Sequence, residues 1–201
     1  MKITQKHIGA IFFASVMASS SFATQSGFYM GLGLGNSNLH NPPAVVTGVT
    51  PPVLVSPTNS GMGARLFWGA GISPYFAIEG GYAYYAPSQY SVSGSNQYIR
   101  ENNIDVVGKF MYPINKWNIF AKGGLAYVFE SVPSTLALQN PGTTVHPEFG
   151  LGVGYDITPN WVVDLSGTRI TKGGSGFQNA DFIALSASYH WVDKYCGQFL
   201  C

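Results

Sequence analysis

The chain has 201 residues, of which only 9% are Asp, Glu, Lys or Arg, and its formal net charge is +1. Soluble domains carry about 25% charge, so so sparse a set excludes an ordinary water-facing surface, and a nucleic-acid partner is excluded with it for want of a basic face. Beyond Ala23 no stretch approaches the roughly 18 consecutive apolar residues of a membrane helix, so a membrane β-barrel is the class that fits low charge together with 25 glycines and 14% aromatics.

Residues 1–23 read as a secretory signal. Lys2 and Lys6 give a basic start, Ile8 to Ala18 is an apolar run too short to span a bilayer, and Ser21-Phe22-Ala23 supplies the small residues of a cleavage site. The expected organisation is a signal peptide over 1–23, an outer-membrane β-barrel over 24–191 and a short periplasmic tail over 192–201.

Eight segments then alternate large apolar residues with small or polar ones, the period of a strand whose two faces differ. The first runs Phe28, Met30, Leu32, Leu34, with glycines between the later three. The second is Ala64 to Ile72, with Arg65 and Phe67 on its other face, and the third is Phe76 to Tyr84, with Glu79. The fourth, Ile104 to Tyr112, interleaves Asp105 and Lys109; the fifth, Trp117 to Tyr127, interleaves Lys122. The sixth is the clearest: Phe149, Leu151, Val153, Tyr155 and Ile157 separated by Gly150, Gly152, Gly154 and Asp156, with Glu148 before them. Trp161 to Thr168 and Ile183 to Trp191 complete the set. Short turns at 73–74, 113–116 and 158–160 alternate with long connections near 36–60, 86–98, 130–144 and 171–181, the order of periplasmic turns and extracellular loops. The fold expected is therefore all-β: an eight-stranded antiparallel, up-and-down transmembrane barrel.

Trp68, Trp117, Trp161 and Trp191 all lie near a short-turn end with apolar-face parity, and Tyr189 accompanies them. Indole rings favour the bilayer interface, so these residues are the expected aromatic belt. A lipocalin-type soluble barrel would instead turn its apolar face inward around a ligand.

With this architecture and the ending Tyr189-His190-Trp191, the chain resembles the OmpA-like eight-stranded outer-membrane barrels, a group that includes the OmpX, Ail and opacity families. The ending resembles the aromatic-x-aromatic signal read by the barrel assembly machinery, although Ser186 stands where that signal has glycine and Val192 to Cys201 follow it. The resemblance implies an outer-membrane location in a Gram-negative cell, with membrane lipid and lipopolysaccharide as surroundings. It also implies a charged lumen plug. OmpA itself carries a peptidoglycan-binding domain after its barrel; that activity is not expected of this chain.

Inward parity places Arg65, Glu79, Asp105, Lys109, Lys122, Glu148, Asp156 and Asp164 in the lumen. An eight-stranded lumen is narrow and filled by side chains, and charges buried in it must pair. An ion-pair network centred on Glu79, Lys109 and Lys122, with Asp164, Arg65, Asp105 and Glu148 around it, is expected to plug the barrel; a rearranging gate is the alternative. Asp164, Ser166 and His190 also face inward and raise the prospect of a triad in a lipid A-modifying enzyme. A polar lumen explains them equally, and no catalytic role is expected. The glycine runs lack the Gly-Lys-Ser/Thr of a phosphate loop, and His40 and His146 lack metal spacing, so no cofactor or metal is expected. Arg169, outward at the extracellular end, can meet lipid A phosphates or simply mark a fraying strand.

The first long loop, Asn41 to Pro57, is uncharged and rich in Pro and Val. Exposed apolar surface often marks interaction, with a host surface, another barrel or only its neighbouring loops as the candidate partner. Cys196 and Cys201 are expected to close a small terminal loop by a disulfide, with intermolecular pairing as the alternative. The function expected is a small surface protein, structural or interacting through its loops, with at most weak conductance. A narrow porin-like channel and a lipid A-modifying enzyme are the alternatives.

Overall fold

The computed structural model describes residues 27–47, 50–92, 95–136, 142–172 and 179–192. The signal segment, the C-terminal tail and Cys196 and Cys201 lie outside these residues. The strands are β1 (Gly27–Leu39), β2 (Ala44–Val45), β3 (Leu54–Val55), β4 (Ser60–Ser73), β5 (Phe76–Tyr84), β6 (Ser88–Val92), β7 (Ser95–Ile114), β8 (Trp117–Ser131), β9 (Thr143–Asp156), β10 (Trp161–Ile170) and β11 (Ala180–Val192).

Eight of them, β1, β4, β5, β7, β8, β9, β10 and β11, form a closed antiparallel ring. Each pairs with its sequence neighbour in the ring, and β1 closes on β11 with Phe28 opposite Trp191 and Leu34 opposite Leu185. Closure leaves the transmembrane wall no unpaired edge, which a strand structure in lipid requires. The alternation read from the sequence sets the two faces. Leu151 is 70% exposed and Ile183 61%, whereas Tyr29, Phe67, Val107 and Phe120 are at most 2% exposed inside. One residue of register slip would exchange these faces along a whole strand.

Glycine in the wall makes room for the large inward side chains. A Cβ at Gly69 would strike the Tyr29 ring, and one at Gly81 would lie 2.8 Å from the Arg65 guanidinium. Each bulky side chain lies across a glycine of a neighbouring strand, which lets a narrow lumen hold aromatic and arginine side chains side by side.

Two differences from the sequence reading have physical causes. The β7–β8 turn is tighter than 113–116: Pro113 stays in β7 opposite Asn118, and Asn115, at φ 57°, makes the reversal. Proline is tolerated because β5 starts at Phe76 opposite Phe110, so Pro113 has a strand on one side only. The connection near 86–98 is itself a hairpin, since β7 runs 20 residues and pairs β6 from Ser88↔Ile99 to Val92↔Ser95 above the ring. The first loop pairs only briefly, as Ala44↔Val55 and Val45↔Leu54, in keeping with Pro43, Pro51, Pro52 and Pro57, which make long regular pairing unlikely.

Candidate functional site: a layered lumen and a packed loop cap

The lumen is stacked in layers. At the short-turn end, Tyr29, Phe67, Ala77, Met111 and Phe120 form an apolar floor. Above it Glu79, fully buried, is the hub of an ionic layer. Its Oε1 accepts from Arg65 Nη1 at 2.7 Å and from Lys122 Nζ at 2.6 Å, and its Oε2 accepts from the Tyr29 hydroxyl at 3.1 Å. Arg65 also donates from Nε and Nη2 to Asp105 at 3.2 and 2.6 Å. Planar Arg–carboxylate pairing of this kind fixes orientation as well as charge.

The sequence placed Lys109 at the centre of this network; it stands at the edge. Its ammonium is 3.9 Å from Glu79 and 4.2 Å from the Phe120 ring centroid, held as much by the aromatic face as by the carboxylate. Asp164 and Glu148 are buried in the wall, 4% and 2% exposed, and neither reaches ion-pair distance of a cation among the described residues. Asp156 is half-buried at the short-turn end of β9, its backbone N–H donating to the Lys116 carbonyl.

Above Glu79 and Lys122 comes a mainly apolar septum of Leu39, Ala83, Tyr85, Ala126, Val128, Ile170, Ala180, Phe182 and Ala184, each at most 3% exposed, with buried Asn103 paired between Ala83 and Val128 and Glu148 opposite Ile170. Strand order places it: on β8, Ala126 and Val128 lie between Lys122 and Glu130. Tyr85 and Phe182 meet edge to face with centroids 6.0 Å apart. Above the septum is a second ionic group absent from the sequence reading. Lys172 bonds Glu101 at 2.6 Å and also Glu130, which stands directly across from Glu101. A signal for it existed, because Glu101 keeps the inward parity of Asp105 and Glu130 that of Lys122. The strands were expected to stop before either residue, and Lys172 lies past the end of β10 where periodicity gives no direction.

His190, Asp164 and Ser166 do not assemble. His190 stacks on Tyr29 at 4.7 Å and lies 3.2 Å from Ser188 Oγ. Its backbone N–H meets the Asn160 carbonyl, whereas Ser166 pairs with Ala184 further up the wall. Six residues of strand separate the two levels, about 20 Å at roughly 3.3 Å per residue.

Outside, Trp117 and Tyr155 contact at 4.7 Å, and Trp161, Tyr189 and Trp191 form a chain with spacings of 5.3 and 5.1 Å. Trp68 stands further along its strand, opposite Met30 and Gly80, and its indole lies over Gly80.

At the long-loop end, the connections gather into one cap. Ala44, Tyr90, Ile99 and Leu136 form its core, with Val55 and Val132 packed against it. Asn41 donates to Ser88 Oγ at 2.9 Å, Ser88 to Asn59 Oδ1 at 2.8 Å, and Asn59 back to the Asn41 carbonyl at 2.9 Å. Tyr90 donates to the Pro42 carbonyl at 2.8 Å, and burial pushes its hydroxyl up to about 12, so it remains a donor at any ordinary pH. Val53, Leu54 and Tyr98 stay exposed on this cap.

A closed ring with an apolar outside, aromatic ends and a charged, filled inside is the arrangement of a barrel built for lipid. The outer membrane protein beta-barrel domain family model matches residues 8–191. The chain belongs to this outer-membrane β-barrel family. It is therefore an OmpA-like barrel of the Gram-negative outer membrane. An uncharacterised protein of Coxiella burnetii is 30% identical over 208 residues, covering 83% of this chain and 84% of the relative. Outer membrane protein A of Shigella flexneri is 29% identical over 159 residues, 73% of this chain but 44% of that protein, so the similarity spans less than half of it. Among solved structures, Neisserial surface protein A superposes with a TM-score of 0.58 at 12% identity, over 84% of this chain and 99% of its own. That likeness shows the fold alone.

Proposed function

We propose that this barrel is a plugged surface protein that acts through its extracellular cap, structurally or by contact with a partner, and does not act as a pore. The observation that carries the reading is the packed loop core of Ala44, Tyr90, Ile99 and Leu136. Long loops without a role tend to be mobile and unpacked. These are tied by side-chain hydrogen bonds, as in Asn41–Ser88–Asn59, and by bridges Val46↔Leu136 and Thr58↔Gln89. The cap then presents Val53, Leu54 and Tyr98 on a preorganised support, and preorganisation lowers the entropic cost of binding.

The apolar septum supports the other half of the reading. An ion crossing it would shed its water among Val128, Ile170 and Phe182. The channel alternative needs Tyr85 and Phe182 to separate. The enzyme alternative needs a reacting group that the Asp164, Ser166 and His190 positions do not assemble.

The test is a cell-association assay. Bacteria displaying the wild-type barrel are compared with bacteria displaying equal amounts of a Val53→Ser, Leu54→Ser, Tyr98→Ser variant. Loss of adhesion to host cells, or of aggregation between bacteria, is the expected result. Equal association by both strains would reject the interaction role and leave only the structural one.

A further inference from the structure

One depression lies in the outer wall, with Lys122 of the ionic layer reaching its base from β8. It lies over Gly167 of β10, an open hollow of about 830 Å³ walled by Phe149 and Leu151 of β9 on one side and Ile183 of β11 on the other. Gly167 pairs with Leu151 and Ile183, so the two walls flank it directly. A Cβ there would meet nothing within 4 Å, so the hollow is open at Gly167. The walls are exposed, Phe149 at 58%, Leu151 at 70% and Ile183 at 61%. Acyl chain is the material that surrounds this face of a membrane barrel.

The extracellular rim of the hollow is charged. Arg169 follows Gly167 on the same face, two residues nearer the loops, and its side chain is 55% exposed. Its Nε and Nη2 donate to Asp181 at 2.6 and 2.7 Å. A guanidinium has five N–H donors in a rigid plane, so this pairing fixes the group while leaving its outer edge able to donate. The Asp181 carboxylate is also bonded by His40 Nε2 at 2.9 Å, which spreads its charge over two partners. Asp181 thus acts as a positioning group for the arginine. An arginine at the outer edge of the apolar band costs little, and this is the depth at which outer-leaflet lipid carries its phosphates.

We propose that this hollow and its rim form a site for one molecule of the phosphorylated, multiply acylated lipid of the outer leaflet, lipid A. One acyl chain lies in the hollow over Gly167, and a sugar phosphate accepts from the free edge of Arg169. Shape and charge meet at a single place in the wall: a missing side chain that fits a chain, directly below the one exposed guanidinium described on the lipid face of β10. Because the site is on the outside of the wall, it does not depend on whether the cap binds a partner.

The full-length protein, refolded in detergent, is offered bisphosphorylated lipid A, the same lipid with its phosphates removed, and phosphatidylglycerol, and retained lipid is read by native mass spectrometry. The wild type is expected to hold one bisphosphorylated lipid A at least about tenfold more tightly than the other two, the scale of one charge-assisted hydrogen-bonded pair. Gly167→Phe fills the hollow and Arg169→Gln removes the rim charge; each is expected to lose about that factor. Both variants should keep heat-modifiable gel mobility, the sign of an intact barrel, and Leu165→Phe, below the hollow, serves as a folded control that keeps the lipid. Equal retention by wild type and both variants, or equal retention of lipid A and phosphatidylglycerol, would overturn the proposal.

Discussion

Glu79 and Lys122 meet at 2.6 Å in the middle of the barrel, 43 residues apart in sequence and with both side chains at most 4% exposed. The pair forms because β5 and β8 each carry a charge of inward parity on either side of β7. Arg65 completes it from β4, and Tyr29 takes the remaining oxygen of Glu79. Removing any one of the charged members leaves the buried layer with an unbalanced charge.

Glu79→Gln is therefore expected to destabilise the barrel by about 3–5 kcal/mol, since it leaves Lys122 without its carboxylate while Arg65 keeps only Asp105. Urea unfolding in lipid vesicles, followed by tryptophan fluorescence, measures the loss. Adding Lys122→Met should recover part of it, because the second change removes the stranded charge. A Glu79→Gln barrel as stable as wild type would mean that the layer is wet and loosely paired.

Lys172 separates two carboxylates that face each other, Glu101 and Glu130. Lys172→Ala should destabilise by roughly 3 kcal/mol, and Glu101→Gln in the same chain should return much of that by relieving the opposed charges. The same unfolding titration checks the pair. Additive losses in the double variant would show that Glu101 and Glu130 do not depend on Lys172.

Leu151 and Gly150 are adjacent in sequence and on opposite faces of the wall, so they test inside against outside. Leu151→Arg, in the apolar band, should cost about 2–4 kcal/mol. Such a cost fades toward the interface, where Arg169 stands paired with Asp181. A Leu151→Arg barrel of wild-type stability would place that residue away from lipid.

The septum makes a directional prediction about conduction. Lys122→Ala disturbs the ionic layer but leaves Tyr85, Val128, Ile170 and Phe182 in place, so it should stay silent in a planar bilayer. The double variant Ile170→Ala, Phe182→Ala thins the septum and should produce current steps that wild type lacks. Steps from Lys122→Ala alone would return the gate to the ionic layer.

Much of this was legible in the sequence for one reason. The wall has a period of two, and lipid outside with a polar lumen inside makes the two faces chemically different, so each residue of a strand declares its side. That is why Arg65, Glu79, Asp105 and Lys122 could be placed inward before any strand was paired. The height of each residue was not legible. Parity gives the face and not the stagger, so Lys109 was set at the hub although it sits 4.2 Å over Phe120, and Trp68 was grouped with the strand-end tryptophans. Strand ends were also hidden. β7 continues past the membrane to pair with β6, which carries Glu101 inward to a lysine no pattern predicts. The apolar septum escaped for a different reason: Tyr85 and Ile170 lie at or beyond strand ends, where alternation no longer separates lumen from loop.

The plugged lumen is tested most directly by recording the refolded wild-type protein in a planar bilayer. With Glu79 paired to Arg65 and Lys122 below the packed side chains of Phe182, Ile170 and Val128, the membrane should carry no steady current after insertion is verified by heat-modifiable mobility. Reproducible ohmic steps from the wild-type barrel at low voltage would contradict a plugged lumen and make the narrow channel the better reading.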